Sequence, residues 1–181
     1  RDRNNHYYQA VPENITWTKA RDDAAKMAYR GLQGYLVTIT SEEENQFVHH
    51  TVVNQSGISG WGSFTGYRGT WLGASDAANE GVWRWVTGPE AGTDFAKSYG
   101  YGNIQAINSQ YMDFNSSVHE GHARADFDYA ISQVPAVGKV LPNGWLKEIY
   151  WDDIPQNISS VDVPEYCLLY TSDAADDTPC V

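Results

Sequence analysis

Apolar residues are spaced along the first part of this chain in two ways, one typical of a helix and one typical of strands. Within Trp17–Met27, apolar side chains fall at i, i+3, i+7 and i+10, which is one face of a 3.6-residue repeat. Thr16 stands directly before this run as the expected N-cap. The segments 6–11 and 35–40 lack that spacing and are rich in aromatic and β-branched residues. We therefore predict a strand, a helix and a second, buried strand.

A second helix is predicted from a capping pattern that follows this strand. Ser41 stands in the N-cap position with Glu44 three residues on, and the run of glutamates suits the positive end of a helix dipole. Phe47, Val48 and Val52 are expected to form the buried face of this helix.

Short strands and long loops are predicted for the rest of the chain. The strands are expected at 71–74, at 82–86, at 128–133, between 144–145 and 150–151, and at 161–166. Glycine-rich residues 55–69 and the Gly-, Asn-, Ser- and Tyr-rich region from 94 to about 126 are predicted as irregular loops. This order indicates an α+β fold, with two helices packed on a mainly antiparallel sheet. The residues assigned to its core are Trp17, Leu36, Ile39, Phe47, Trp71, Leu72, Trp83 and Trp85.

Composition narrows the range of partners. The chain has 181 residues, 41% hydrophobic and 19% charged, which suits one globular domain with a sizeable core. Its formal net charge is −11 at pH 7, so no nucleic acid partner is expected, because phosphates need a basic surface. No run approaches the ~20 apolar residues of a membrane-spanning helix.

The C-terminal segment differs from the rest of the chain. It contains both cysteines, Cys167 and Cys180, and reads CLLYTSDAADDTPCV. Its first part matches a forward translation of a common transposase-type sequencing adapter. We therefore predict a single domain over 1–166 and a non-native tail over 167–181, and neither cysteine supports a disulfide.

Sequons for N-glycosylation occur at Asn14, Asn54, Asn115 and Asn157. They indicate a secreted, extracellular glycoprotein. The alternative is an accident of loops rich in Asn and Ser.

Several motifs together resemble C-type-lectin-like domains, especially cysteine-poor microbial ones. The opening stretch HYYQAV, with the helical segments after it, is similar to the first half of that family. WLGA at 71–74 and VWRWVTGPEAGTDF at 82–95 are similar to its central strands, and FDYA at 127–130 and YWDD at 150–153 to its later ones. The resemblance covers nearly all of 6–166. It implies a C-type-lectin-like fold in which the first half is scaffold and a long loop binds ligand.

The resemblance also implies a calcium site, although the motif of the family is incomplete here. Sugar-binding members hold calcium with a Glu-Pro-Asn or Gln-Pro-Asp triplet, a nearby Glu, and the Asn-Asp of a Trp-Asn-Asp motif. Here 151–153 reads Trp-Asp-Asp, 118–120 reads Val-His-Glu in place of the triplet, and Phe127 stands at the Glu position. The expected calcium ligands are Asp152, Asp153, Glu120 and Asp126. The alternative is that Asp152 and Asp153 brace a turn.

Aromatic residues in the long loop suit a binding surface, because tyrosine supplies contact area at a low entropy cost. The residues expected to contact a ligand are Tyr99, Tyr101, Tyr111, Phe114, Glu120 and Trp151. The alternative is that the loop rings pack onto their own domain.

Two functions follow from these observations. The first is an extracellular, non-catalytic module that binds a glycan or a protein through the long loop, with calcium assisting. The alternative is a structural subunit of a glycosylated filament or surface layer that assembles with its own copies. Catalysis is not expected, because acid pairs such as Glu90 and Asp94 stand in no recognised catalytic motif.

Overall fold

Two short helices and eleven strands make up the described part of the chain. The computed structural model describes residues 6–11, 15–53, 69–100, 103–114, 129–133, 150–154 and 165–170. The helices are α1 (Trp17–Ala24) and α2 (Glu42–Phe47), and α2 continues into a π-helical turn, Val48–Val53. The strands are β1 (Tyr7–Val11), β2 (Ala28–Tyr29), β3 (Leu32–Gln33), β4 (Tyr35–Leu36), β5 (Gly69–Ser75), β6 (Val82–Trp85), β7 (Asp94–Ser98), β8 (Ile104–Ala106), β9 (Tyr129–Gln133), β10 (Tyr150–Ile154) and β11 (Glu165–Tyr170). The predicted α+β class is confirmed.

Both helices begin at the predicted residues. Thr16 Oγ1 accepts from the Lys19 backbone N–H at 3.4 Å, and Ser41 Oγ accepts from the Glu44 N–H at 3.2 Å. The Glu44 carboxylate does not close a capping box on Ser41. It accepts instead from the Thr40 backbone N–H at 2.8 Å and from the Tyr8 hydroxyl at 2.7 Å, which ties α2 to β1. Neither helix in the described ranges is long and apolar enough to cross a membrane.

One nine-stranded sheet contains every described strand except β2 and β3, which pair with each other. Its main path runs β1-β11-β5-β6-β7-β8, with β4 joined to β11 and β9 joined to both β5 and β10. Only the pairing of β11 with β5 is parallel among the described strands, so the sheet is mainly antiparallel, as predicted.

The last strand lies farther along the chain than predicted. It covers Glu165–Tyr170 rather than 161–166, and its residues 166–170 pair with all of β1, from Val11↔Tyr166 to Tyr7↔Tyr170. The first four residues of the predicted tail therefore belong to the sheet. The non-native origin of 167–181 stays a prediction.

The region after Thr93 is more regular than predicted, because β7 and β8 form a hairpin there. Opposite the Trp83–Arg84 step of β6 the register shifts, so that Trp83 pairs with Ala96 and Arg84 with Asp94. Phe95 is the extra residue of this bulge, and both Phe95 and Ala96 are buried. The bulge breaks the alternation of apolar and polar residues that would have indicated a strand.

The predicted core residues are inside the molecule. Phe47 is half-buried and packs against the core, whereas the other seven are buried. The indole N–H of Trp17 donates to the Leu72 carbonyl at 2.7 Å, and that of Trp71 donates to the Ile15 carbonyl at 2.8 Å. These two bonds fix the tryptophans without leaving a buried donor unpaired.

Candidate ligand-binding site

Tyr99 stands on a tight turn between β7 and β8, at one edge of the sheet. Its backbone N–H donates to the Asn103 carbonyl at 2.8 Å, and the Asn103 N–H donates to the Gly100 carbonyl at 2.9 Å. The Tyr99 side chain is 57% exposed, and Lys97 Nζ lies 5.3 Å from the centre of its ring. The predicted exposure of this ring is therefore confirmed. Tyr101 lies outside the described residues.

Phe114 and Trp151 are core residues, so their expected place on a binding surface is wrong. Phe114 is 5% exposed and Trp151 is fully buried. The Trp151 ring meets Trp85, Phe95 and Phe114 edge to face, with centres 5.7, 5.9 and 5.7 Å away. A parallel bridge between Phe114 and Trp151 brings the two segments together, and their rings then fill the interior between them.

One side-chain amide from α2 connects this aromatic core to the start of the predicted loop. Asn45 Nδ2 donates to Asp113 Oδ2 at 2.7 Å and to the Tyr111 hydroxyl at 3.2 Å. Trp151 Nε1 donates to Asn45 Oδ1 at 3.2 Å, and the Trp151 backbone N–H donates to the Asp113 carbonyl at 2.8 Å. This Asn45 cluster (Asn45, Tyr111, Asp113 and Trp151) holds the base from which residues 115–128 depart. Tyr111 is half-buried within it, rather than exposed as expected.

Burial changes the acidity of two members of the cluster. It raises the pKa of Asp113 to about 6, against a smaller lowering by the Asn45 hydrogen bond, while the charge of Glu42 raises it further. Burial and the neighbouring Asp113 carboxylate also raise the pKa of Tyr111. The base of the loop therefore contains a carboxyl group that is costly to keep ionised at neutral pH.

Acidification from about pH 7 to about pH 4 is expected to stabilise the wild-type protein relative to an Asp113→Asn variant. The folded-state pKa of about 6 lies above the ordinary value of 3.8, so the folded protein binds this proton more tightly than the unfolded chain does. The resulting stabilisation is complete below the ordinary pKa and is lost as the pH rises through about 6. Melting temperatures of both proteins across this window measure it, because the other carboxyl groups are common to both. A constant difference would contradict the burial of Asp113.

The expected calcium ligands are only partly within the described structure. Asp152 and Asp153 lie on β10, whose neighbour β9 begins three residues after Asp126. Glu120 and Asp126 lie outside the described residues, as do all four sequon asparagines. In the described ranges, no three His, Cys, Asp or Glu side chains are grouped so as to hold a metal ion. The four expected ligands are all carboxylates, a donor set that suits calcium.

Glu90 and Asp94 are both engaged in structural contacts. Asp94 forms two hydrogen bonds with the Arg84 guanidinium, at 2.5 and 3.1 Å, which lower the pKa of its carboxyl group. Glu90 Oε2 accepts from the Thr38 hydroxyl at 2.7 Å. These bonds brace the strand β6, the strand β7 and the turn between them.

A family model described as the lectin C-type domain matches residues 13–122. Halomucin of Haloquadratum walsbyi is 36% identical over 124 residues, which are 68% of this chain and 1% of that protein. A perlucin-like protein of Mytilus galloprovincialis is 36% identical over 84 residues, which are 46% of this chain and 46% of that protein. The chain thus spans less than half the length of either relative.

Two solved structures share the fold at low sequence identity. The C-type lectin CEL-I from Cucumaria echinata aligns with a TM-score of 0.57, at 18% identity, over 96% of this chain and 95% of that one. The herring type II antifreeze protein aligns with a TM-score of 0.54, at 14% identity, over 96% of each chain. The described arrangement of two helices and a mainly antiparallel sheet is thus that of a C-type-lectin-like fold.

Proposed function

Because this chain belongs to the C-type lectin domain family, we propose that it is a non-catalytic module that binds a glycan. The binding surface comprises the Tyr99 turn and the loop 115–128, which includes Glu120. The observation that carries this proposal is the exposed Tyr99 ring on a turn closed by backbone hydrogen bonds. A ring held in this way can stack on the apolar face of a sugar at a low cost in entropy.

The Asn45 cluster fixes the residues that directly precede 115–128. It joins α2, the segment before the loop and β10 through one amide, so the departure point of the loop is defined by buried hydrogen bonds. Groups that are already fixed before a ligand binds reduce the entropy that binding costs.

Calcium assists binding in this proposal. Asp152, Asp153, Glu120 and Asp126 would hold the ion, and their carboxylates suit its preference for oxygen. When bound, calcium would complete its coordination shell with vicinal hydroxyls of the sugar. These carboxylates would hold the ion and would also accept hydrogen bonds from the sugar hydroxyls.

Binding of the full chain to a glycan array, with calcium and with EDTA, tests this proposal. We expect the array signal to be stronger in calcium than in EDTA, and this calcium-dependent part of the signal to be lost in an Asp152→Asn/Asp153→Asn variant that keeps its melting temperature. Equal binding in calcium and in EDTA would refute the calcium assistance. If no glycan on the array is bound and a protein ligand is captured instead, the proposal that the ligand is a glycan is refuted.

Tyr99→Ala is expected to weaken glycan binding about fivefold to tenfold, because the stacking surface is lost. Its melting temperature should remain that of the wild type, since the ring is mostly exposed. Tyr29→Ala is the matched control, because Tyr29 is also an exposed tyrosine, 41% exposed, on the separate β2–β3 hairpin. Equal effects of the two variants on binding would exclude the Tyr99 turn from the site.

We propose that the protein is secreted and that its sequons carry glycans, which a mass decrease on enzymatic deglycosylation would test. Size-exclusion chromatography separates the binding module from the filament subunit. A soluble monomer that binds glycans supports the module. Filaments formed without any glycan-binding monomer would support self-assembly instead.

A further inference from the structure

A cleft of about 400 Å³ opens between the end of α1 and the turn that follows β6. This volume lies within the range of about 300–1,000 Å³ that is typical of small-molecule sites. Val86 lies on the wall of the cleft and directly follows the last residue of β6. Val82 is the first residue of β6 and pairs with Lys97, which lies beside the Tyr99 turn. The cleft and the Tyr99 turn are therefore at opposite ends of β6.

The inner wall of the cleft is apolar. Tyr35, Val86 and Gly88 contribute to this wall. Val86 is 37% exposed, and few large apolar side chains in the described ranges are as exposed as this. Gly88 has a φ of +68°, and a Cβ on it would clash with the Tyr35 ring. The ring and the glycine backbone therefore lie in direct contact and form a continuous apolar surface.

The rim of the cleft carries a charged pair with unused hydrogen-bonding capacity. Arg21 Nε and Nη2 both donate to the same oxygen, Asp22 Oδ1, at 2.9 and 2.7 Å. The two side chains are 43% and 51% exposed. A guanidinium has five N–H groups and a carboxylate has two oxygens. The pair therefore offers donors and an acceptor side by side to a ligand.

We propose that this cleft is a second carbohydrate site, which binds a neutral hexopyranose without calcium. A pyranose has an apolar face of C–H groups, which fits the Tyr35–Val86 wall. Its vicinal hydroxyls each donate and accept, which matches the Arg21–Asp22 pair. A neutral sugar is favoured over an anionic one because the pair has no net charge and the chain as a whole carries −11.

This site is independent of the proposed surface at the Tyr99 turn, because it shares no residue with it and needs no metal. Binding at the cleft can therefore be measured separately in EDTA, which removes calcium. An array that shows no calcium-dependent binding would refute the calcium proposal, whereas saturable binding of a sugar at the cleft in EDTA would still support this inference.

The test is an amide NMR titration of the full chain in EDTA with methyl α-D-glucopyranoside, methyl α-D-mannopyranoside and methyl β-D-galactopyranoside. We expect saturable shifts at the amides of Gly34, Thr87 and Gly88 with at least one of these sugars. Permethylated methyl glucoside, which keeps the ring and lacks hydroxyl donors, should give no saturable shift. Equal shifts with the permethylated sugar, or no shift with all three sugars, would overturn the proposal.

Variants locate the hydroxyl contacts. Arg21→Ala and Asp22→Asn are each expected to weaken the sugar affinity about tenfold, because each removes charge-assisted hydrogen bonds. Asp22→Asn keeps the shape of the side chain, so it remains informative if Arg21→Ala disturbs α1. Lys26→Ala, a change to an exposed cation near the end of α1, is the control and should leave the affinity unchanged. Unchanged affinity in both rim variants would overturn the site.

Discussion

Replacing Trp151 with alanine is expected to lower the free energy of unfolding by about 3–5 kcal/mol, as for other large aromatic truncations in cores. The side chain is fully buried and its ring contacts Trp85, Phe95 and Phe114 edge to face. Its removal leaves a cavity among these rings and also takes the indole donor from Asn45 Oδ1. Urea unfolding followed by circular dichroism measures the change.

Tyr99→Ala is the control for this stability experiment. Its ring is mostly exposed, so the free energy of unfolding should change by no more than about 0.5 kcal/mol. Trp151→Phe should lower the free energy of unfolding by an amount between those of Trp151→Ala and Tyr99→Ala, because it keeps part of the ring contacts and loses the hydrogen bond. A stable Trp151→Ala protein that no longer binds glycans would show that Trp151 contacts the ligand and is not part of the core.

Gly73→Ala is expected to lower the free energy of unfolding by about 3 kcal/mol, at the upper end for overpacked cores. A Cβ at Gly73 would clash with Thr87 Oγ1 and would lie 2.8 Å from the Leu36 carbonyl oxygen. Those two groups are hydrogen-bonded to each other at 2.8 Å, so one methyl group disturbs both. The strand has little room to move away, because the Gly73 N–H and carbonyl are bonded to Val37 and Val86.

Gly31→Ala distinguishes crowding from backbone strain. Gly31 has a φ of +83°, and nothing lies within 4 Å of where its Cβ would be. Gly31→Ala is therefore expected to lower the free energy of unfolding by about 1 kcal/mol, through backbone strain alone. Chemical denaturation of both variants compares them directly. If Gly31→Ala lowered the free energy of unfolding more than Gly73→Ala did, the close approach of β5 to Thr87 would be contradicted.

The helix starts and the core were predictable from the sequence because their causes are local. A hydroxyl at the N-cap bonds to an N–H three residues on, as Thr16 and Ser41 do. Burial of Trp17, Trp71 and Trp83 follows from the large apolar area that each would otherwise expose to water. The YWDD and WLGA motifs indicated the family by the same kind of short-range pattern.

The base of the binding loop was not predictable in the same way. Asn45 and Asp113 are 68 residues apart in the chain, and no local pattern distinguishes this asparagine from a solvent-exposed one on a polar helix. The buried position of Trp151 depends on the packing of β10 beside β9 and on its bridge to Phe114. The YWDD motif, in which two aspartates follow Trp151, suggested that this tryptophan lies on a surface. Its burial is determined by the packing of β10 within the sheet.

The sequence by itself thus determined the α+β class, both helix starts, most of the core and the membership of the C-type lectin family. Only the tertiary structure decided which aromatic residues face the solvent, which amide holds the loop base, and where a cleft opens beside α1. The physical reason is the range of the interactions. Capping and apolar periodicity act within a few residues, whereas exposure and the pKa of Asp113 depend on groups that the fold brings together from distant positions.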